Sequence, residues 1–176
     1  MFRISKRKVT KPEARLLVRQ IKLTPNIMGY SLTEWMTAEH IMVAEDENGS
    51  FVGACLSYDF HEDWNKIAAL FVLKEFRGMG LGRSLFDKSC EDALKRRKNL
   101  YTISANKIVI KMMQDLDFVT FDSLAHLPKS ANNKYKFVFY SHHLKWIANF
   151  YRLQEIARKT ILYKSQKKFV YGVKLC

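Results

Sequence analysis

The sequence predicts an α/β protein in which helices flank a mixed β-sheet. Apolar stretches of strand length recur along the chain, and Asn48-Gly49, a pair typical of tight hairpins, joins the first two. A later apolar strand runs directly into a glycine-rich turn and an amphipathic helix, and an apolar stretch at 169–175 closes the chain. Because the 176 residues contain no repeat and no linker, we expect residues 1–176 to form a single domain.

Two short helices are expected before the sheet. Pro12 suits the first turn of a helix that continues through Ile21. Ser31 and Glu34 have the spacing of a capping box, which predicts the start of a second helix that runs through Met36.

The spacing of apolar residues predicts the remaining elements. Strands are expected at 41–44, 51–58, 66–73, 101–104, 118–121 and 169–175, and helices at 83–98, 106–116 and 141–159. The last helix carries apolar groups nearly all round, which is typical of a helix covered by the core or by a partner. It belongs to an extra helical segment, 124–160, that precedes the last strand.

The spacing of the cysteines and the short length of the apolar runs exclude several classes of protein. Cys55, Cys90 and Cys176 are too scattered for a disulfide scaffold and form no CxxC pair, so a reducing, intracellular setting is expected. The longest apolar run, 67–73, is far shorter than the ~20 residues that cross a bilayer. The N-terminus lacks the apolar region of a secretory signal. We therefore expect a cytoplasmic protein without a membrane partner.

The net charge of +13 is concentrated at the two ends of the chain. Residues 1–22 carry eight basic residues against Glu13 alone, and residues 129–176 carry eleven against Glu155 alone, whereas the middle is slightly acidic. A basic surface attracts anionic partners, although a merely solubilising surface explains the same charge. Nucleic acid is one such partner, but no zinc-finger, RNP or helix-turn-helix motif accompanies it.

The turn Arg77-Gly-Met-Gly-Leu-Gly82 carries the chemistry of the chain. Glycines at 78, 80 and 82 let main-chain amides approach a ligand, and the following helix N-terminus adds unpaired N–H donors. Together they form a site suited to phosphate, to which Arg77 and Arg83 can add charge-assisted contacts. A tight strand–helix connection without a ligand explains three alternating glycines between two arginines less well than a phosphate site does.

Three other phosphate-binding motifs do not fit this turn. The third glycine of a Rossmann fingerprint would fall on Arg83 or Leu85. A P-loop needs a Gly-Lys-Ser/Thr that is missing, and the chain has neither His-Arg-Asp nor Asp-Phe-Gly of a kinase.

The segment 72–82 has the pattern Val72-x-x-Glu-Phe-Arg77-Gly-x-Gly-x-Gly82, and Leu85 and Phe86 follow on the next helix. This pattern resembles the acetyl-CoA site of the GNAT superfamily of N-acyltransferases. The resemblance extends to Asn106 and covers 11–123. It implies a mixed, mostly antiparallel GNAT-type sheet whose fourth strand splays away from its neighbour.

The resemblance also implies the residues that bind acetyl-CoA. The backbone of Leu70, Phe71 and Val72 would pair with the pantetheine amides as an added strand would. The amides of Gly78, Met79, Gly80, Leu81, Gly82 and Arg83 would hold the pyrophosphate. Asn106 would contact the pantetheine arm.

The catalytic groups of the family are missing from their usual positions. Met113 stands where a tyrosine acid is usual, Asp117 replaces the usual glycine, and the fourth strand begins Lys66-Ile-Ala-Ala-Leu, without the usual carboxylate or histidine. Three explanations stay open: the thiolate leaves unassisted, since a thiol pKa is near ~8.5; Tyr101 or Tyr171 reaches the sulfur; or the protein only binds CoA. His61 and Glu62 could serve as the base, although a solvated turn accounts for them too.

The implied function is an N-acetyltransferase in which an amine attacks acetyl-CoA directly, with no metal. If the basic ends converge on the acceptor side, the acceptor is acidic or phosphate-bearing, for example an acidic protein.

Two alternatives are a CoA-binding protein associated with nucleic acid or ribosomes, and an acyl synthase that uses acyl carrier protein. The apolar segment 141–159 leaves a homodimer open. The acyl length and the amine are undetermined.

Overall fold

The computed structural model describes residues 2–25, 27, 29–128, 132–163 and 168–176, without the side chains of 132–134. Its strands are β1 (Arg3–Lys6), β2 (His40–Glu45), β3 (Phe51–His61), β4 (Trp64–Val72), β5 (Asn99–Ser104), β6 (Val119–Phe121) and β7 (Val170–Lys174). Its α-helices are α1 (Lys11–Lys22), α2 (Leu32–Thr37), α3 (Leu81–Lys95), α4 (Lys107–Asp115), α5 (Asn132–Ile147) and α6 (Phe150–Tyr163).

The seven strands form one sheet in the order β1-β2-β3-β4-β5-β7-β6. Every neighbouring pair is antiparallel except β4 and β5, which run parallel because α3 carries the chain back across the sheet between them. The expected mixed, mostly antiparallel sheet with helices before its last strand is confirmed.

Helices cover both faces of the sheet. The apolar stripe of α1, Ala14, Leu17 and Ile21, packs with Trp35 of α2 on one face. The stripe of α3, which includes Leu85 and Phe86, packs on the other face. Amphipathic helices with this spacing bury one side each, so the protein has a core on both faces of the sheet.

The N-terminal strand and the C-terminal helices differ from the sequence-based expectation. The strand β1 was not predicted, since it is a four-residue edge strand and two of its residues are charged. The single helix over 141–159 was wrong: two helices, α5 and α6, meet at Ala148 and Asn149. The Asn149 side chain accepts the amide of Arg152 (3.3 Å), as an N-cap does, and so begins α6. The apolar pattern did not mark a buried helix: α6 buries Arg152, Glu155 and Lys159, and it leaves Phe150 and Leu153 exposed.

The C-terminal helix closes the end of α1. Arg158 donates to the carbonyl of Lys22 (2.7 Å), Lys159 to that of Ile21 (2.9 Å), and the Tyr163 hydroxyl to that of Leu23 (3.0 Å). The last carbonyls of a helix lack intrahelical partners and carry partial negative charge. The two basic ends of the chain therefore meet, and part of their charge caps a helix.

Large apolar side chains on α5 and α6 also remain uncovered. Phe137, Leu144, Phe150 and Ile161 are 81%, 68%, 74% and 73% exposed. A homodimer through this surface stays a prediction. Among the described residues, no helix combines the length and the apolar character that a membrane crossing requires.

Replacing Gly53 by alanine should destabilise the sheet by about 1–3 kcal/mol, the usual cost of overpacking. A Cβ at this position would lie 2.7 Å from the carbonyl oxygen of Phe71, a main-chain atom held in the β3–β4 ladder. Urea unfolding measures the loss. Gly82→Ala is the control, because its Cβ has room (3.9 Å to Val72 Cγ2) and alanine favours the helix, so its stability should be equal or higher. A Gly53→Ala variant as stable as wild type would contradict the close approach.

Candidate functional site

The parallel strands β4 and β5 separate and leave a wedge between them. Their ladder ends at the rung Ile67–Thr102, although β4 continues to Val72 and β5 to Ser104. The Thr102 hydroxyl closes the apex by donating to the carbonyl of Ile67 (2.9 Å). Beyond the apex, β4 has no ladder partner on its β5 side within the described strands. Its outward-facing amides and carbonyls are therefore available to an extended ligand.

A bulge in β4 marks the apex of the wedge. The β3–β4 register places Leu56 opposite Ala69 but Ser57 opposite Ile67, so Ala68 is the extra residue. A bulge bends its strand and increases the local twist. The bend turns the end of β4 away from β5 where the parallel ladder stops.

The glycine turn lies beyond the open end of β4. Gly78 and Gly80 have φ of +82° and +76°, in the left-handed region that favours glycine, and a Cβ at either position would meet nothing within 4 Å. The first backbone bond of α3 runs from the amide of Ser84 to the carbonyl of Gly80 (3.0 Å). The preceding amides at the start of α3 therefore have no intrahelical acceptor, and they face an open surface that bears no acidic residue in the first turn.

The predicted pantetheine residues lie on the strand beside the wedge. The side chain of Leu70 packs toward α3, and that of Phe71 is buried on the α1 side of the sheet. Val72 pairs with Gly53 at the end of the β3–β4 ladder. These side chains anchor β4 in both cores, so that only its backbone is presented to the wedge.

The two arginines of the turn are held by protein groups. The Nε of Arg77 donates to the carbonyl of Val72 (3.0 Å), and the guanidinium lies 5.6 Å from the ring centroid of Phe71. Arg83 pairs with Asp87 (2.9 Å) and Asp115 (2.7 Å) on the surface. Their contact with a phosphate and the binding of an anion by the amides of the turn both stay predictions. Met79 is exposed, and Leu81 is buried under α3.

Asn106 follows the β5 side of the wedge. Its Oδ1 accepts the amide of Ile108 (2.9 Å), so it is the N-cap of α4, and its own amide donates to Ser104 Oγ (3.0 Å). The cap leaves the Nδ2 group without a partner among the described residues. That group is the part of Asn106 that can donate to a pantetheine carbonyl.

Met113 lies in the core between α4 and β7. It is fully buried, and its Cε lies 2.4 Å from where a Cβ on Gly172 would be. Met113, at the position where the family usually has tyrosine, therefore fills space between α4 and β7.

The two alternative tyrosines lie on neighbouring strands. Tyr101 stands on the rung next to the apex, paired with Lys66, and its buried hydroxyl has no hydrogen-bond partner among the described residues. Burial raises the pKa of Tyr101 well above its ordinary value, so the hydroxyl keeps its proton. Tyr171 lies one strand further away, where it stacks on Phe121 (5.6 Å).

His61 and Glu62 lie at the opposite end of β4 from the glycine turn. The nine residues of β4 span roughly 26 Å, and these two residues precede its first residue. His61 Nδ1 accepts the amide of Asp63 (3.2 Å), and the carbonyl of Glu62 accepts Lys98. The structure does not bring either residue to the wedge.

Lys66 and His142 are the residues of the site that the sequence did not indicate. Lys66 is 3% exposed, and its Nζ lies 3.4 Å from His142 Nε2 and 4.5 Å from the ring centroid of Trp146. Burial and the nearby Arg152 lower the pKa of Lys66 to about 7. One sequence signal was available: a lysine that interrupts the apolar fourth strand.

A cavity of about 320 Å³ opens beside this cluster. Its lining includes Tyr30, Glu34, Leu56, Tyr58, His142, Lys145, Trp146 and Arg152. Two of these, Leu56 and Tyr58, are the β3 partners of Ala69 and Lys66, the β4 residues that flank the bulge. The cavity floor therefore lies next to the apex of the wedge, on the α2 side of the sheet.

Arg152 forms the charged wall of the cavity. Its guanidinium lies between the rings of Tyr30 (4.6 Å) and Trp146 (4.8 Å) and pairs with Glu34. Because that pair uses the only carboxylate that the described residues contribute to the lining, the exposed Lys145 leaves the cavity positively charged.

An open wedge between two parallel strands, a glycine turn at the start of a helix and a positively charged cavity beside the apex are the features of this site. The family model for acetyltransferases of the GNAT family matches residues 15–118, more than half of the chain. The chain therefore belongs to the GNAT acetyltransferase family, and it is an enzyme of the N-acetyltransferase class.

Solved structures share this fold at low sequence identity. Rv2747 of Mycobacterium tuberculosis, solved with CoA, has a TM-score of 0.67 and 12% identity, and the match covers 98% of this chain and 99% of that one. The N-acetylglutamate synthase of Neisseria gonorrhoeae, complexed with coenzyme A and N-acetyl-glutamate, has a TM-score of 0.57 and 20% identity over 76% of this chain. This chain spans only 32% of the length of that synthase.

A third similar structure is the phosphinothricin acetyltransferase of Sinorhizobium meliloti with acetyl-CoA. Its TM-score is 0.55 at 16% identity, with 67% of this chain and 76% of that chain covered. Comparison with curated proteins gives no match.

Proposed function

We propose that this protein transfers the acetyl group of acetyl-CoA to an amine by direct attack in a ternary complex. The observation that carries the proposal is the wedge, whose free β4 edge leads to the unpaired amides of residues 78–83. The pantetheine amides pair with β4 beyond Ile67, and the pyrophosphate accepts hydrogen bonds from the turn. The CoA and acetyl-CoA held by similar structures support this assignment.

The amine reaches the thioester from the cavity beside Tyr58 and His142. The cavity floor adjoins the apex, so an amine held there lies beside an acetyl group at the end of the pantetheine arm. Holding the two reactants in this way removes most of the entropy that a bimolecular encounter would cost.

The acceptor carries an acidic or phosphate group next to its amine. The lining has Lys145 and Arg152 against the single carboxylate of Glu34, and the exposed α1 cations Arg15 and Arg19 add to the positive surface. Lys6 and Arg7 do not contribute, because they pair with Asp92 (Lys6) and with Glu13 and Glu45 (Arg7).

The leaving thiolate departs without a dedicated acid at the usual position. A thiol pKa near ~8.5 makes this departure feasible. Of the two tyrosines that could assist, Tyr101 is the better placed, because its rung adjoins the apex. The single acyltransferase domain, the cytoplasmic location and the absence of a metal stay predictions.

Thioester consumption against a panel of amines tests the function. We expect acetyl-CoA turnover with amines that carry a carboxylate or phosphate, and weaker turnover with their neutral analogues. Because the attraction is electrostatic, kcat/KM for the anionic amines should fall severalfold between low and physiological ionic strength.

Three other outcomes would contradict parts of this proposal. Calorimetric binding of CoA without thioester consumption across the panel would identify a binding protein. Competition by acyl carrier protein but not by CoA would identify an acyl synthase. Rates that are insensitive to salt would exclude an acidic or phosphate-bearing acceptor, but they would not contradict acetyl transfer to an amine.

A further inference from the structure

We infer that Lys66 stores the proton that the acceptor ammonium must lose, and that it receives this proton through Tyr58 and His142. The inference rests on the proposed function, since it concerns the same reaction. It assigns the base that the family pattern does not supply. Lys66 does not line the cavity, so it acts on the acceptor only through Tyr58 and His142 and is a positioning residue.

The sheet places these groups in one row. Tyr58 and Tyr101 stand opposite Lys66 on the two neighbouring strands, so the three side chains project from the same face. His142 of α5 lies over the row, and its Nε2 is 3.4 Å from Tyr58 Oη and 3.4 Å from Lys66 Nζ. Tyr58 and His142 line the cavity, and Lys66 lies behind them.

Within the part of the chain that the structure describes, Lys66 has no carboxylate to compensate a charge. Groups that face it from the surrounding elements are Tyr30, Glu34, Tyr58, Tyr101, His142, His143, Lys145 and Arg152. Glu34 is the only acid among them, and it pairs with Arg152. A buried ammonium without a counter-ion is costly, whereas a neutral amine in the same place is a base with access to one proton donor.

His142 is suited to pass a proton rather than to keep one. Burial and the charges of Lys66 and its neighbours lower the pKa of His142 to about 3, so the imidazole is neutral. The Tyr58 hydroxyl takes a proton from the ammonium as it gives its own to Nε2, and Nε2 passes a proton to Nζ. One ammonium N–H bond breaks and one Nζ–H bond forms.

The remaining steps balance without another reactant. The neutral amine attacks the thioester carbonyl, the C–N bond forms, and the C–S bond breaks. The second proton of the amine neutralises the CoA thiolate. Lys66 returns its proton to water in the cavity by the same route.

The pH dependence of turnover tests this role. In the wild type, kcat/KM for the amine should have an acidic limb near pH 7. In Lys66→Met, kcat at pH 7 should fall at least tenfold, and the rate should recover toward the ammonium pKa of the acceptor, because only hydroxide then removes the proton. Tyr58→Phe breaks the first link without charge or volume change and should lose the same limb. Lys95→Met, on the exposed end of α3, is the control.

A direct titration separates the inference from the proposed function. The ¹⁵N NMR signal of Lys66, assigned by its absence in Lys66→Met, should titrate near pH 7 in the full chain. A midpoint near 10, or wild-type pH profiles in both Lys66→Met and Tyr58→Phe, would overturn the inference while turnover stands. If the wild type consumes no acetyl-CoA with any amine, the proposed function and the proton-storing role of Lys66 fail together, whatever the midpoint. If Lys66→Met fails to fold, Tyr58→Phe decides alone.

Discussion

Gly80→Asp should weaken acetyl-CoA binding by roughly 5- to 1,000-fold. The new carboxylate would project from the turn whose amides are proposed to hold the pyrophosphate, where a Cβ meets no protein atom within 4 Å. Like charges about 4 Å apart repel by about 1–4 kcal/mol, depending on their exposure. Isothermal titration calorimetry with acetyl-CoA measures the loss, and raising the salt concentration should recover part of the affinity.

A matched control for this variant exists in the β2–β3 hairpin. Gly49 has nearly the same backbone conformation (φ +78° against +76°) and the same open surroundings. Gly49→Asp therefore introduces the same charge and the same left-handed strain, about 1 kcal/mol, away from the wedge. It should bind acetyl-CoA as the wild type does. Equal affinity of the Gly80→Asp and Gly49→Asp variants would remove the turn from the binding site.

Lys66→Met should make the protein more stable at pH 6 and change the pH dependence of its stability. A buried lysine whose pKa is about 7 binds a proton less readily when folded than when unfolded, where its pKa is near 10.5. Between these values, folding releases the proton, so wild-type stability rises with pH by about 1.4 kcal/mol per unit relative to the variant. Below pH 7, both states are protonated, and the wild type carries the full cost of a buried ammonium.

Urea unfolding of both proteins at pH 6, 7, 8 and 9 measures this difference. Groups away from Lys66 titrate alike in the two proteins, so their contributions cancel in the subtraction. His142 and His143 lose the charge that lowers their pKa, so the comparison rests on pH 7 to 9, above the ordinary pKa of a histidine. The advantage of the methionine variant should shrink by roughly 3 kcal/mol between pH 7 and pH 9. A difference that stays constant from pH 6 to 9 would show that Lys66 does not change its charge in this range.

Most of the fold could be predicted because its signals are local. The capping box of Ser31 and Glu34, the Asn48-Gly49 hairpin and the apolar stripes each involve residues within a few positions of one another. The two errors have different causes. The strand β1 exists because Arg3–Lys6 pairs with the distant strand β2, whereas the break before α6 follows from a local signal, the N-cap Asn149, which the apolar pattern concealed.

In the candidate site, too, features that depend on adjacent residues were predictable and features that depend on strand register were not. The turn at 77–82 was found from the sequence, since left-handed glycines and a helix N-terminus are properties of adjacent residues. The wedge was expected only through the family resemblance, and its apex at Ile67–Thr102 depends on strand register. His61 and Glu62 were candidates because of their chemistry, but the hairpin carries them to the wrong end of β4.

Amino-acid order alone was therefore sufficient for most of the succession of helices and strands and for the glycine turn before α3, because φ preferences and helix ends depend on near neighbours. Tertiary packing decided the cavity beside Tyr58 and the surroundings of Lys66. His142 lies 76 residues from Lys66 along the chain, and only the packing of α5 over β4 brings the two nitrogens within 3.4 Å. The pKa of a lysine depends on what excludes water from it, and that is a property of the folded molecule.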